Sequence, residues 1–426
     1  MKQLIFYILI IPTLAHSQEV QQLSLTECYK LTRENHPYYQ DRQRIQENAN
    51  LKLQNVGTQW LPQLNANAQA TYQSDAIKLD MTIPTGPNQT KELKVESSRD
   101  QYKATIDVNQ MLYDGGSVAA QKQMTNASLE ADLLQNEGEL HQLVEQVNQV
   151  YFGLLLYKSN IKLLENVEST LLQRQKTIEA ALKNGTLQES DLDNIKIEIL
   201  KNNQQIDELK LSYSSGISVL SELTGRKLND SLKIEIPEVD IPDTGAFQRA
   251  EIKNLEVQEA SIKFSDKFTQ SQRMPRVYAF VQGGYGRPGL NMLDNNFATF
   301  YIVGVNFKWN IWDWNKTSRD RQSLAIERDM IDSRKLAIEK NLRISLDNSR
   351  ARIGQLEKSL KTDAAIVDLR KSVTQRSSAK LEQGVMIASD YINDLNAETQ
   401  ANITMLTHKV QLAQEKVNYL VIKGIF

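Results

Sequence analysis

The chain carries little of what catalysis needs. Its four histidines, His16, His36, His141 and His408, are scattered with no ligand spacing, and no nucleophile forms a pattern with any of them. No metal or cofactor is implied, and an enzyme activity has nothing to rest on. Cys28 is the only cysteine, so an internal disulfide is excluded and a small buried helical residue is expected there. Gly284-Tyr285-Gly286-Arg287-Pro288-Gly289 satisfies the dinucleotide fingerprint as a string, yet it contains a proline and opens no helix, so the loop of a hairpin accounts for it better. What does recur is Ser-Asp placed after a glycine: Gly185, Ser190 and Asp191 return as Gly384, Ser389 and Asp390. A carboxylate just after a tight turn can cap a helix start. Brought together in several copies, such carboxylates also repel one another and favour cations.

Those residues belong to a duplication. Tyr102, Asp114, Gly185, Asp191 and Gly225 recur 199 residues later as Tyr301, Asp313, Gly384, Asp390 and Gly424, with no gap between them. Upstream, Pro62 and Tyr72 recur 213 residues later as Pro275 and Tyr285, so one 14-residue length difference falls between Tyr72 and Tyr102. That stretch reads as a loop of free length. A repeat of about 200 residues is too long for a solenoid unit and implies pseudo-symmetry within one architecture. The expected divisions are a signal peptide at 1–17, a first repeat at 18–225, a linker at 226–245 and a second repeat at 246–426.

The signal peptide is read from a lysine, an apolar run from Leu4 to Leu14 and the small-residue pattern Ala15-His16-Ser17. Beyond it no apolar stretch is long enough for a spanning helix. A net charge of −2 gives no pointer to nucleic acid.

Four segments alternate polar and apolar residues as one-sided strands do, at about 62–72, 101–112, 275–285 and 300–311. Each is close to the length that crosses a bilayer at a tilt. Aromatic residues gather at their ends, Trp60, Tyr72, Tyr102, Tyr285, Trp309 and Trp312 among them, as interfacial girdles do. Lys103, Asp107, Arg276 and Lys308 fall on the polar faces and would line a wet lumen, with Tyr278 and Phe280 making one inner face less polar. Four strands cannot close a barrel, and lipid tolerates no open edge, so a membrane location forces oligomerisation. Two, three or four copies all give permitted strand numbers.

All nine prolines lie outside 88–236 and 289–426, which leaves room for very long helices. From Leu140 to Leu182 apolar residues step by three and four, a coiled-coil seam, and Leu342, Leu346, Ile353 and Leu356 keep much of it in the second copy. Long helices are expected at about 117–183 and 317–383, each on the order of 100 Å. Shorter helical stretches flank them at 24–59, 191–223, 245–272 and 390–423. The expectation is a rod or tube wall with a strand pair at one end. An exported coiled-coil scaffold or surface fibre, with hairpins capping the rod, is the alternative.

With signal peptide, duplicated helix-strand-strand-helix unit and a glycine at each helical turn followed six residues later by Asp, the chain resembles the TolC-like outer-membrane efflux channel family. The resemblance implies an α+β membrane protein in which a long coiled-coil α-helical barrel continues into a transmembrane β-barrel, four strands per protomer. It also implies a homotrimer in the outer membrane of a Gram-negative bacterium, in contact with outer-membrane lipid and with a large periplasmic helical part. The function implied is passive exit in tripartite efflux or type I secretion. The partners would be a periplasmic adaptor (membrane fusion) protein and an inner-membrane transporter of RND, ABC or MFS type. Carried over residue by residue, Asp390, Asn393 and Asp394 with Asp191 and Asn194 form the periplasmic gate, and Asn184-Gly185-Thr186 and Gln383-Gly384-Val385 are the adaptor-docking turns. Asn184 and Gln383 stand where the family usually has an apolar residue. Leu381 and Met386 replace a Tyr and an Arg that lock the best-studied branch, so a closed state here must be held differently.

Overall fold

A computed structural model describes residues 22–87, 89–183, 185, 187–242, 245–292 and 294–425. The expected signal peptide lies outside the described residues. In chain order the elements are α1 (Leu25–Asn35), α2 (Pro37–Gly57), β1 (Gln63–Tyr72), β2 (Lys78–Gly86), β3 (Gln89–Glu96), β4 (Asp100–Tyr113), α3 (Ser117–Lys183), α4 (Glu189–Thr224), α5 (Ala250–Ser271), β5 (Arg276–Arg287), β6 (Ala298–Lys308), α6 (Lys316–Glu382) and α7 (Ala388–Lys423). The four expected strands and both long helices are present within three residues of their expected ends. At 67 residues each, α3 and α6 are about 100 Å long at 1.5 Å per residue.

Two local departures have physical causes. The stretch expected as one helix over 24–59 is broken at His36, whose φ of −73° and ψ of 137° are extended. It precedes Pro37, and a proline ring disfavours helical geometry in the residue before it. The loop of free length between Tyr72 and Tyr102 carries a hairpin of its own, β2 paired antiparallel with β3.

The duplication is visible at the start of each long helix. Asp114 accepts from the N–H groups of Gly116 at 2.9 Å and Val118 at 2.5 Å, and Asp313 accepts from Thr317 N–H at 2.9 Å and from its hydroxyl at 2.5 Å. Between cap and helix the backbone is left-handed in both copies. Gly115 and Gly116 adopt it with φ of 67° and 89°, Trp314 and Asn315 with φ of 53° and 60°. Only glycine takes that conformation without a Cβ penalty, so the second copy carries backbone strain that the first avoids.

Contacts divide the chain into two compact units, one of Met1–Gln40, Glu137–Arg249 and Lys340–Phe426, the other of Asp41–Asn136 and Ala250–Glu339. The first is helical. Its main core joins α3, α4 and α7 through Val147, Tyr151, Leu154, Tyr213, Leu220 and Val417, with Cys28 fully buried among them. Burial pushes the Cys28 thiol up to about 12, which leaves it an inert packing residue. The segment expected as a linker contains no helix among its described residues, and it packs. Leu232 and Ile234 are buried, and its carbonyls at Glu235 and Leu232 accept from Tyr151 Oη at 2.8 Å and Lys158 Nζ at 2.5 Å.

The second unit holds all six strands. β1, β4, β5 and β6 form one antiparallel sheet in the order β1-β4-β5-β6, so the two repeats meet where β4 pairs with β5.

Candidate functional site: two helical turns and a one-sided sheet

The helical turns between α3 and α4 and between α6 and α7 are built alike. Gly185 and Gly384 sit at φ of 71° and 70°, and their N–H groups donate to Leu182 and Leu381 carbonyls at 3.0 and 3.1 Å. Reversal of the chain within so few residues needs that left-handed position, which is why glycine stands there. Asn184 and Thr186 lie outside the described residues. Gln383, Gly384 and Val385 are exposed.

The two equivalent aspartates have opposite environments. Asp191 is buried at 6% exposure, whereas Asp390 is exposed. One Asp191 oxygen accepts from Gln188 N–H at 3.1 Å, closing a capping box on its own helix. The other accepts from the buried N–H of Ala388 at 2.9 Å, the first residue of α7 in the other repeat. Asp191 therefore caps two helices and fastens the turns together. Asp390 has no hydrogen-bond or ion-pair partner among the described residues. Asn393 is exposed, while Asp394 turns onto α6, accepting from Ser377 Oγ at 2.5 Å. A groove of about 630 Å³ is lined by Asp191, Asn194, Lys380, Gly384, Val385 and Asp390. It thus gathers expected gate and docking residues from both turns.

Beneath the groove an apolar cluster seals the seam between repeats, with Leu171, Ile178 and Ile195 of the first against Leu381, Tyr391 and Leu395 of the second. Arg174 closes it on one side. Its guanidinium donates to Glu382 and lies 5.6 Å from the centre of the Tyr391 ring. Burial works against the Arg174 charge, but Glu382 and Tyr391 outweigh it and raise its pKa. Leu381, at the position where the resembling family's best-studied branch has its locking Tyr, is 3% exposed in this cluster. No local pattern marks Arg174, Glu382 or Tyr391 in the sequence; they are joined only across the seam.

In the sheet the cross-strand register puts Lys103, Asp107, Arg276 and Lys308 on one face. Asp107 ties three strands on that face, accepting from Asn67 Nδ2 at 2.6 Å, from Thr105 Oγ1 at 3.1 Å and from Gln282 of β5. Two rings also lie there over glycines of the neighbouring strand. A Cβ on Gly284 would come within 2.3 Å of the Phe300 ring, and one on Gly304 within 2.8 Å of Phe280. The opposite face is apolar and uncovered, with Leu64, Tyr301, Val303, Val305 and Phe307 each more than 60% exposed. Strands β1 and β6 form the sheet's two edges, paired on one side only. No helix among the described residues is long and apolar enough to cross a membrane. The sheet itself presents one polar and one lipid-compatible face.

Solved structures share this arrangement over nearly the whole chain. The CmeC outer membrane channel of Campylobacter jejuni aligns with a TM-score of 0.67 at 15% identity, covering 94% of this chain and 85% of that one. VceC, an outer membrane protein of Vibrio cholerae, aligns with a TM-score of 0.69 at 12% identity, covering 94% and 96%. The open state of the Neisseria gonorrhoeae MtrE outer membrane channel aligns with a TM-score of 0.67 at 13% identity, covering 94% and 88%. No curated protein matches the chain by sequence. The fold is that of a TolC-like outer-membrane channel, a helical barrel joined to a β-barrel. Residues 28–226 match the family described as outer membrane efflux protein. That match spans 199 of the chain's 426 residues.

Proposed function

We propose that the protein is a homotrimeric passive exit duct, gated at its helical turns, within a tripartite efflux or type I secretion system. The observation that carries this reading is the four-stranded sheet with an uncovered apolar face and two edges. In lipid both edges must be paired, and three copies supply twelve strands that close on themselves. Lys103, Asp107, Arg276 and Lys308 then face the lumen. Asp390 and Asn393 supply the exposed polar ring of the gate. Asp191 and Asp394 hold the turns that carry it, and Asn194 lines the groove as part of the gate. Asn184-Gly185-Thr186 and Gln383-Gly384-Val385 are the surface offered to a periplasmic adaptor, which would link the duct to an inner-membrane transporter of RND, ABC or MFS type.

Three carboxylates crowding a pore favour cations and repel each other. Asp390→Ala should therefore change conductance and cation selectivity in a planar bilayer, and an unchanged channel would remove Asp390 from the gate. A crosslinking probe at Gly384 or Val385 in intact cell envelopes should capture a periplasmic protein. Capture of outer-membrane proteins alone would refute the docking assignment.

A further inference from the structure

The polar face of the sheet is divided across its width. On β1 it carries amides, Gln63, Asn65, Asn67 and Gln69, spaced two apart as one face of a strand requires. On β5 and β6 the same face carries Tyr278, Phe280, Phe300 and Ile302, all half-buried. Phe280 stands opposite Gly304 and Phe300 opposite Gly284. Each ring reaches sideways onto its glycine, so the two lie along the sheet instead of standing out from it. Cations border the rings at both ends. Lys103 Nζ is 5.2 Å from the centre of the Phe300 ring, reaching across β5 where Gly284 and Gly286 leave it room. At the other end Arg276 and Lys308 stand directly opposite each other. Like charges directly opposite destabilise a sheet, and a bound anion relieves that cost. Among the described residues no carboxylate makes a hydrogen bond or ion pair with Lys103, Arg276 or Lys308. Arg276 donates instead to the neutral Gln272 Oε1 at 2.8 Å, and Asp107 is engaged by Asn67, Thr105 and Gln282.

We propose that this half of the sheet is a track for cargo, and that the cargo class is planar aromatic organic anions. The aromatic body stacks on Phe280 and Phe300. The anionic group pairs with Arg276 and Lys308 at one end of the track, or with Lys103 at the other. The proposal rests on the trimeric duct proposed above and names what that duct carries. Closing the barrel seats β1 of one copy beside β6 of the next, and β1 contains no carboxylate, so closure leaves Arg276 and Lys308 without an anion. Three tracks then alternate with three stripes of amides around the lumen. Rings that lie along a wall form no enclosing pocket, so the hold at any one point is weak. A conduit needs that, because conduction requires sites loose enough to leave. Phe300 lies level with Gly284, four residues from Phe280 and so about 13 Å along the strand, which sets two successive holds on one path.

Block of the full-length channel in planar bilayers tests the track. Naphthalene-2-sulfonate, added to each side in turn, should halve the current at a concentration roughly two- to tenfold lower than cyclohexanesulfonate, which has the same charge and no π face. It should also act at a several-fold lower concentration than 2-naphthyltrimethylammonium, which has the ring and the opposite charge. Equal block by the two sulfonates overturns the stacking, and equal or stronger block by the cation overturns the anion assignment. Phe280→Leu should raise the half-blocking concentration of naphthalene-2-sulfonate several-fold, whereas Phe280→Tyr, which keeps a ring over Gly304, should not. An equal rise in both variants would show that Phe280 acts through the fold and not through stacking. Should Phe280→Leu fail to give a channel, the three probes on the unaltered protein decide alone. A channel that conducts but does not distinguish the probes overturns the track and leaves the duct intact. A protein that forms no channel overturns both.

Discussion

Replacing Asp191 by alanine removes two hydrogen bonds at once, and their cost can be worked from the surroundings of each. The bond to Gln188 N–H is an N-terminal cap on a helix start, where loss typically costs about 1 kcal/mol. The bond to Ala388 N–H is different, because Ala388 is 0% exposed and water cannot replace the carboxylate. Stranding a buried donor costs about 1–3 kcal/mol, and this one loses an ionised partner, so the upper half of that range applies. The sum is about 3–4 kcal/mol of local stability at the paired turns. At about 1.4 kcal/mol per factor of ten, amide hydrogen exchange at Ala388 should accelerate by roughly two to three orders of magnitude. Asp191→Asn keeps one acceptor oxygen but turns an NH2 towards the other N–H, so roughly tenfold is expected. Asp390→Ala is the internal comparison: its carboxylate has no hydrogen-bond or ion-pair partner among the described residues, and Ala388 should exchange as in the unaltered protein. Exchange at Ala388 within about threefold of normal in Asp191→Ala would show that Asp191 is not the fastening between the turns.

Arg174→Ala should release Glu382 and Tyr391 at a cost of about 1 kcal/mol, since the ion pair is half open to solvent. Limited proteolysis at Gln383–Val385 should quicken about fivefold, and an unchanged nicking rate would refute the clamp. Gly284→Val forces the Phe300 ring aside and should cost about 1–3 kcal/mol as overpacking. Adding Phe300→Ala should recover part of the loss, read as the temperature at which the folded band disappears on unheated gels, and no recovery would disprove the ring-over-glycine pairing. The bonds from Thr317, its hydroxyl first, together with the Arg273 charge, hold Asp313 below the usual carboxylate pKa. A depressed pKa stabilises the α6 start above the unfolded value, and that contribution is lost as pH falls through the folded value. Tryptophan fluorescence, reporting on Trp312 and Trp314 beside the cap, should therefore stay constant down to about pH 4 and change below it. A transition already complete at that pH, or one retained in Asp313→Asn, would contradict the assignment.

Strands and long helices were legible because each imposes a period on the side chains, two for a half-covered strand and three-four for a seam. The β2 and β3 hairpin also alternates, with Leu79, Met81 and Ile83 opposite Lys78, Asp80 and Thr82. The 14-residue length difference between the repeats marked that stretch as a loop of free length and hid its alternation. The break at His36 was encoded by Pro37, and the packing of the linker by the alternation of Leu232, Ile234 and Ile236. The site was legible only to the level of its turns. Glu189-Ser190-Asp191 and Ala388-Ser389-Asp390 are nearly the same string, yet one aspartate is buried across a seam and the other faces outward. That difference comes from which neighbour each copy meets, which no local pattern records.

The two ways of entering the long helices have a bearing on how such a chain can change. In an unfused ancestor every substitution at that corner would have appeared at every position round the assembly, so glycine could be given up only everywhere or nowhere. In the fused chain the two corners can differ, and they do, with Gly-Gly at one and Trp-Asn at the other. Each experiment on one half therefore carries its own control 199 residues away. Grafting Gly-Gly onto positions 314 and 315, or Trp-Asn onto 115 and 116, would measure within a single molecule what an aromatic residue at the sheet's margin is worth against a strained turn.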